Sequence, residues 1–252
     1  DLTGITILQV IPELETGGAE RTTLEIGKAV ISAGGRSLVV SQGGQMVTQL
    51  EQEGSQHIEM PVSSKNPMLI AANGQALAKL ILKENVQIIH ARSRAPAWSA
   101  FQAARKTGAK FVTTYHGIYN AKGAPKRLYN SVMARGDAVI ANSGFTAAAV
   151  RETYGGKKWF PADDNFVTIP RGADLSRFDP ALITEDRLQA AFDQFGGEGV
   201  FRLLLPGRLT EWKGQDVLIR AAGLLHKQEG TKPFRVVMIG SDQGRIEYTN
   251  RL

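Results

Sequence analysis

The sequence contains no cysteine, which excludes disulfide frameworks and metal sites built on thiolates. The remaining soft metal ligands are four scattered histidines without the spacing of a metal site: His57, His90, His116 and His226. No apolar run approaches the ~20 residues that a membrane-spanning helix needs. The chain starts without a signal-peptide pattern, so we expect a cytoplasmic protein.

Several catalytic signatures are also missing. The sequence has no Gly-x-Ser-x-Gly, Walker A or His-Glu-x-x-His pattern, and no paired carboxylates stand out at the ends of predicted strands. What is present is an excess of positive charge, with a net charge of +6 and an isoelectric point near 9.6. The basic residues are spread along the chain and no nucleic-acid motif occurs, so the charge favours phosphate-bearing ligands or anionic lipid.

Short β-branched runs alternate with segments of helical periodicity along most of the chain. Strands are predicted at residues 5–11, 37–41, 57–60, 86–90, 110–115, 138–141 and 166–169. Helices are predicted between them at 18–33, 68–83, 95–106 and 145–154, the last capped by Ser143. This alternation favours an α/β fold with a mostly parallel sheet that is covered on both faces.

The pattern pauses at turn signals between Pro170 and Pro180 and then resumes. A helix is predicted at residues 185–194, followed by a strand at 200–205, a helix at 215–228 and a strand at 234–239. A single strand–helix–strand unit is too small for an independent doubly wound domain. We therefore divide the chain into a complete domain at residues 1–178 and an incomplete one at 179–252.

A glycine pair, Gly17 and Gly18, lies between the first predicted strand and its helix. Ligands of open α/β sheets bind at the carboxyl ends of strands, and the helix N-terminus behind the pair offers N–H groups to an anion. The spacing is not Gly-x-Gly-x-x-Gly, so a dinucleotide site is not favoured. A plain tight turn explains the pair equally well.

Arg208 and Lys213 flank the junction between the strand and the helix that open the second domain. Lys213 is predicted in or near the first turn of that helix, where a cation opposes the helix dipole by ~0.3–1 kcal/mol. An anion bound between the two cations would reverse this penalty. The forked guanidinium and the mobile ammonium together suit a diphosphate, although a solvated pair remains the alternative.

Two further groups of residues are weaker candidates. His116 follows the strand predicted at residues 110–115 and can hydrogen-bond a substrate or be structural, and His90 has a similar position. Lys122, Lys126 and Arg127 can face an anionic acceptor or lipid headgroups, where each basic residue contributes ~1 kcal/mol, or can belong to a solvated loop.

Six segments match those of one known family in order and spacing. They are Gly-Gly-Ala-Glu at residues 17–20, Thr-Tyr-His-Gly at 114–117, Asp-Ala-Val-Ile-Ala-Asn-Ser at 137–143, Val-Thr-Ile-Pro-Arg-Gly-Ala-Asp at 167–174, Leu-Pro-Gly-Arg-Leu at 205–209 and Lys-Gly-Gln-Asp-Val-Leu-Ile at 213–219. With them the chain resembles the retaining glycosyltransferases of family four, or group 1, which have the GT-B fold. No single motif is decisive, but the resemblance spans nearly the whole chain.

The resemblance implies two Rossmann-like domains, of which the second is truncated here. A nucleoside-diphosphate sugar is the implied donor, with its diphosphate bound by Arg208 and Lys213 and approached by the loop of Gly17 and Gly18. His116 is implied to lie near the transferred sugar. The family is thought to retain configuration by attack on the same face, with the leaving phosphate helping to deprotonate the acceptor. No metal is expected, and the sequence has no Asp-x-Asp of the kind that metal-dependent GT-A transferases use.

The implied acceptor is a saccharide, such as a lipid-linked saccharide or lipopolysaccharide, reached by a protein that contacts the anionic inner face of the membrane. Two departures from the family matter: Arg171 stands where the family usually has asparagine, and the downstream Glu-x7-Glu region is absent. We therefore expect this chain to be inactive alone and its unfinished sheet edge to allow self-association. The alternatives are a nucleotide-sugar epimerase or phosphorylase on the same fold, or a non-catalytic nucleotide- or carbohydrate-binding module.

Overall fold

A computed structural model describes residues 1–120, 122–172, 175–197, 199–242, 244 and 246–252. Ala173 and Asp174, which belong to a segment that carries the resemblance, lie outside the described residues. The chain divides into two compact units, Asp1–Gly172 and Ala173–Leu252. The predicted boundary after residue 178 stays a prediction.

The first unit contains one sheet and its covering helices. Its strands are β1 Thr6–Val10, β2 Arg36–Ser41, β3 Gln56–Glu59, β4 Ile88–Ala91, β5 Lys110–Tyr115, β6 Ala138–Ala141 and β7 Phe166–Thr168. Its helices are α1 Gly18–Ser32, α2 Val47–Gln52, α3 Pro67–Lys83, α4 Arg94–Thr107, α5 Ala124–Asn130 and α6 Gly144–Tyr154. All seven predicted strands are confirmed, as are the four predicted helices.

The seven strands are parallel and follow the order β3-β2-β1-β4-β5-β6-β7. The strand order reverses between β1 and β4, where Gln9 pairs with His90. In open α/β sheets the crevice outside such a reversal is the usual place for a ligand. The fold therefore directs attention to the loops that follow β1 and β4.

Local sequence signals explain where the longer helices begin. Asn66 accepts a hydrogen bond from the Met68 N–H, and Pro67 occupies the first helical position of α3. Ser143 caps α6 in the same way by accepting from the Thr146 N–H, which confirms the predicted cap. The left-handed Gly108 ends α4.

The core of the first unit lies between the sheet and its helices. The side chains of Leu8, Ile89, Phe111 and Val139 are inaccessible to solvent, one from each of four neighbouring strands. Phe111 also meets Phe101 of α4 edge to face, with ring centroids 5.6 Å apart. Gln9 and Val39, which point to the opposite face, are also inaccessible to solvent, so the central strands are buried on both faces and the sheet's edges are what remains for ligands.

The second unit contains a parallel pair of strands, β8 Phe201–Pro206 and β9 Phe234–Ile239. Its described residues also form the α-helices α7 Glu185–Phe195, α8 Gln215–His226 and α9 Ile246–Arg251. The predicted strand–helix–strand unit is confirmed. Within the described residues of either unit, none of the helices combines the length and apolar character required to cross a bilayer.

Candidate functional site

A cavity of about 230 Å³ lies at the carboxyl edge of the sheet in the first unit, beside the reversal of strand order. Residues at or just after the ends of β4, β5, β6 and β7 line it, together with Thr22, Glu25 and Ile26 of α1. The polar groups that matter for its chemistry are Glu25, His90, Arg92, His116, Asn142 and Arg171. Of the predicted site residues, this cavity contains His116.

His116 follows β5, and its ring is held by Arg171. The Arg171 Nη2 lies 2.7 Å from the His116 Nδ1. Arginine can only donate, so Nδ1 accepts, and the proton of the neutral ring is on Nε2. Burial, followed by the charges of Arg92 and Arg171, lowers the pKa of His116 to about 3. At neutral pH this side chain is therefore an uncharged donor.

The glycine pair adjoins the same cavity through Arg171. A Cβ on Gly18 would collide with the Arg171 Nη1, so the missing side chain is what admits the guanidinium here. A Cβ on Gly17 would meet the carboxylate of Glu20, which folds back over the start of α1. The loop thus carries a carboxylate of its own at the helix terminus that was predicted to approach a diphosphate.

Arg92 was missed by the sequence analysis, although it lies immediately after β4. It is only 3% exposed, and its Nε donates to the Gln9 Oε1 at 2.7 Å. Gln9 in turn donates from Nε2 to the Thr23 carbonyl of α1 at 3.0 Å. The Arg92 Nη1 is buried and has no hydrogen-bond partner among the described residues. An arginine placed directly after a buried strand was the signal that could have identified it.

The side chain of His90 is buried and contacts the neighbouring strand β5, as a structural histidine does. Its Nε2 lies 2.8 Å from the Thr114 Oγ1, inside the sheet edge. Burial, followed by the charge of Arg92, holds the pKa of His90 well below its ordinary value. The side chain is thus a neutral partner of Thr114, which agrees with the weaker case made for it from the sequence.

The second unit presents Arg208 and Lys213 on one loop after β8, and both side chains are exposed. The Arg208 carbonyl accepts from the Gln215 Nε2 at 2.9 Å, which ties this loop to the start of α8. The Lys213 Cδ lies 3.7 Å from the position of a Cβ on Gly207. The aliphatic part of the Lys213 side chain therefore extends back toward the end of β8, close to the start of the loop that contains Arg208.

Lys213 lies near the first turn of α8, as predicted, but not within it. Lys213 ends a short 3₁₀ turn, Glu211–Lys213. Gly214 follows with a left-handed φ of 77°, and α8 starts only at Gln215. Because a left-handed glycine separates them, the ammonium does not oppose the dipole of α8 from within that helix.

Lys122, Lys126 and Arg127 lie at or just before α5, and their side chains are exposed. Lys126 lines a second hollow of about 460 Å³ in the first unit with Lys65, Arg94, Tyr129 and Asn130. Arg94 is fixed there by the Asn130 Oδ1 at 3.1 Å. In the described part of the chain, no group of three or more histidine or acidic side chains comes together that could hold a metal ion.

The model of one protein family, Glycosyltransferase Family 4, matches residues 16–177, more than half of the chain. The chain belongs to Glycosyltransferase Family 4. This confirms the resemblance to that family found in the sequence. The matched range contains the glycine pair, His116, Arg92 and Arg171.

Solved structures support the same assignment. The glycosyltransferase from Rickettsia africae is 39% identical, with a TM-score of 0.81 over 98% of this chain and 63% of that one. Anabaena Alr3699/HepE in complex with UDP-glucose is 21% identical, with a TM-score of 0.72 over 98% of this chain and 64% of that one, and shows the fold alone. These likenesses confirm an α/β fold of the GT-B type.

Curated relatives match a shorter part of the chain. The D-inositol 3-phosphate glycosyltransferase of Pseudarthrobacter chlorophenolicus is 34% identical over 114 residues, covering 45% of this chain and 25% of the relative. That of Nocardia farcinica is 30% identical over 113 residues, covering 45% of this chain and 23% of the relative. The chain spans about a quarter of the length of these curated relatives.

The buried, neutral His116 predicts a specific dependence of stability on pH. Its folded-state pKa of about 3 lies below the value of 6.5 for a free histidine, so the unfolded state binds the extra proton first. Stability is therefore full above pH ~6.5 and is lost as the pH falls toward the folded-state pKa. We expect His116→Asn to reduce this slope by up to about 1.4 kcal/mol per pH unit between pH ~6 and ~4.

The measurement is urea unfolding of the 252-residue chain at a series of pH values, with the free energy of unfolding plotted against pH. His226→Asn provides the control for the loss of a histidine as such, because His226 is exposed at the end of α8 in the second unit. A His116→Asn variant with the same slope as the parent protein would show that His116 takes up its proton equally in the folded and unfolded states, which contradicts the lowered pKa.

Proposed function

We propose that the protein transfers a sugar from a nucleoside-diphosphate sugar to a saccharide acceptor, with retention of the anomeric configuration. The observation that carries the proposal is the pair of exposed cations, Arg208 and Lys213, on the loop after β8 in a Family 4 chain. As the bond between the sugar and the diphosphate breaks, negative charge grows on the departing phosphate oxygens. Cations fixed beside those oxygens stabilise that state more than the ground state, which lowers the barrier.

Within this proposal the first unit binds the acceptor and the transferred sugar. The neutral His116 offers its Nε2–H to a sugar oxygen, and Arg171 fixes the ring orientation. The acceptor hydroxyl attacks the face that the phosphate leaves, and its proton passes to the leaving phosphate. No protein nucleophile and no metal enter this scheme, and both absences stay predictions.

The proposal extends to the acceptor and its location. The exposed Lys122, Lys126 and Arg127, together with Leu128, which is 61% exposed, form a basic and apolar surface at α5. Such a surface suits an acceptor presented at an anionic membrane, and each basic residue would add ~1 kcal/mol of attraction. Membrane contact, a lipid-linked acceptor and self-association through a sheet edge stay predictions.

Product analysis with the full-length protein tests the proposal. Incubation with uridine and guanosine diphosphate sugars and a saccharide acceptor should give a glycoside whose anomeric configuration, read by NMR, is that of the donor. An inverted product would contradict retention. A changed sugar formed without any acceptor would identify an epimerase instead, and a reaction that requires free phosphate would identify a phosphorylase.

An assay of the 252-residue chain alone is the second part of this test. We propose that these 252 residues do not turn over alone, because the Glu-x7-Glu region implied to bind the ribose and the donor sugar is not among them. Transfer by this chain without added protein would contradict that. Donor binding without transfer by the full-length protein would favour the non-catalytic module.

A further inference from the structure

The cavity at the carboxyl edge of the first unit contains several hydrogen-bond donors and too few acceptors. The buried Arg92 Nη1 and His116 Nε2 both lack a hydrogen-bond partner among the residues that the structure describes. The guanidinium of Arg171 lines the same space. Buried polar groups are nearly always paired, so unpaired donors on two side chains that line one cavity indicate an acceptor-bearing ligand.

Arg92 determines the charge of that ligand. Its side chain is 3% exposed, and its Nε donates to the neutral amide oxygen of Gln9. Burial, followed by the charge of Arg171, lowers the pKa of Arg92 to about 9, so its positive charge is poorly compensated. A buried cation is stabilised when an anion reaches it, and a guanidinium fits the two oxygens of a carboxylate or phosphate.

Arg171 adds the second cation, at a position where the family usually has asparagine. Its Nη2 is engaged by His116, and its Nη1 lies against Gly18. These two contacts hold the planar guanidinium of Arg171 at the wall of the cavity. The only carboxylate that lines the cavity in the described residues is Glu25, which offsets one of the two positive charges.

We propose that this cavity binds an anionic group, a carboxylate or a phosphate monoester, carried by the sugar that the first unit holds, through Arg92 and Arg171. The inference deepens the proposed function and rests on it, since it names the substrate class as acidic or phosphorylated sugars. The volume of about 230 Å³ is below the ~300–1,000 Å³ typical of sites for drug-sized ligands, so one substituted sugar fits better than a whole nucleotide sugar. The His116 Nε2–H donates to the same ligand.

Direct binding to the 252-residue chain tests this without any need for turnover. The probes are glucuronate, glucose 6-phosphate and glucose, titrated by calorimetry at pH 7 and fixed ionic strength. We expect one or both anionic sugars to bind at least about tenfold more tightly than glucose, because charge-assisted hydrogen bonds are roughly twice as strong as neutral ones. Comparing glucuronate with glucose 6-phosphate distinguishes the carboxylate from the phosphate.

Three variants assign the binding to the cavity. Arg171→Gln removes an exposed side chain, so folding is preserved, and it should weaken the anionic probe by about tenfold. Arg92→Lys keeps the charge but loses the fork and should weaken it by at least about fivefold. Arg105→Gln is the matched control, since Arg105 pairs with Asp137 at the opposite edge of the sheet, and it should leave binding unchanged.

Equal binding of glucose and the anionic sugars would overturn the inference, as would anion binding that survives both Arg171→Gln and Arg92→Lys. These outcomes differ from a failure of the proposed function. Sugar transfer by a full-length protein whose cavity binds no anion contradicts only the inference. Specific anion binding in a full-length protein that transfers no sugar contradicts the proposed function instead.

Discussion

Replacing Arg208 by alanine in the full-length protein is expected to lower kcat for sugar transfer by at least about tenfold, and replacing Lys213 is expected to do the same. Both side chains are exposed on the loop after β8 and buried in no core, so neither replacement should unfold the second unit. The charge that they stabilise develops as the diphosphate leaves. Steady-state kinetics with the donor varied would therefore show a fall in kcat and not only a rise in KM.

Lys227→Ala provides the matched control for this experiment. Lys227 is also an exposed lysine, but it follows the last turn of α8, at the end remote from the loop of Lys213. Its removal changes the net charge by the same amount and should leave kcat within about twofold, because an exposed charge beyond the last helical turn is strongly screened. Unchanged rates in both Arg208→Ala and Lys213→Ala would remove the basis of the proposed function.

The second large effect is expected from Phe111→Ala in the centre of the sheet. Phe111 is inaccessible to solvent, packs edge to face on Phe101 and lies on β5, the strand that leads to His116. Deleting a buried phenyl ring leaves a cavity and should lower the free energy of unfolding by about 3–5 kcal/mol. Denaturant unfolding followed by fluorescence measures the change.

Phe145→Ala is the control for the loss of a phenyl ring as such. Phe145 is 77% exposed at the start of α6, so its removal should change stability by no more than about 0.5 kcal/mol. A similar small loss for Phe111→Ala would mean that β5 is not packed as described. It would then also weaken the placement of His116, which depends on that strand.

Most of the secondary structure could be predicted because both periodic patterns are long and uninterrupted. The central strands of the first sheet are largely apolar and buried, and α1, α3, α4 and α6 each extend for three turns or more. The missed α-helices are α2, α5 and α9, of six, seven and six residues. Helices of this length show too few repeats for their periodicity to be recognised, and tertiary packing stabilises them.

The candidate site was only partly predictable. His116 and the glycine pair were identified because they follow predicted strands, and Arg208 because it begins a loop at a strand end. Arg92 and its partner Gln9 were not, since a hydrogen bond between residues 83 positions apart leaves no local pattern. The contact of Arg171 with His116 joins residues 55 positions apart. It likewise depends on the order of the strands in the sheet, which the sequence does not reveal.

The empty space at Gly18 has a consequence for how this site can change over time. A methyl group there and the guanidinium of Arg171 would occupy the same volume, so the two positions are sterically linked. A lineage that acquires alanine at position 18 has to shorten or redirect the side chain at 171, and a lineage with asparagine at 171 loses that restriction. Because the Arg171 Nη1 is the end of an exposed, flexible side chain, alanine at position 18 would displace the guanidinium from its place beside His116 without unfolding the unit.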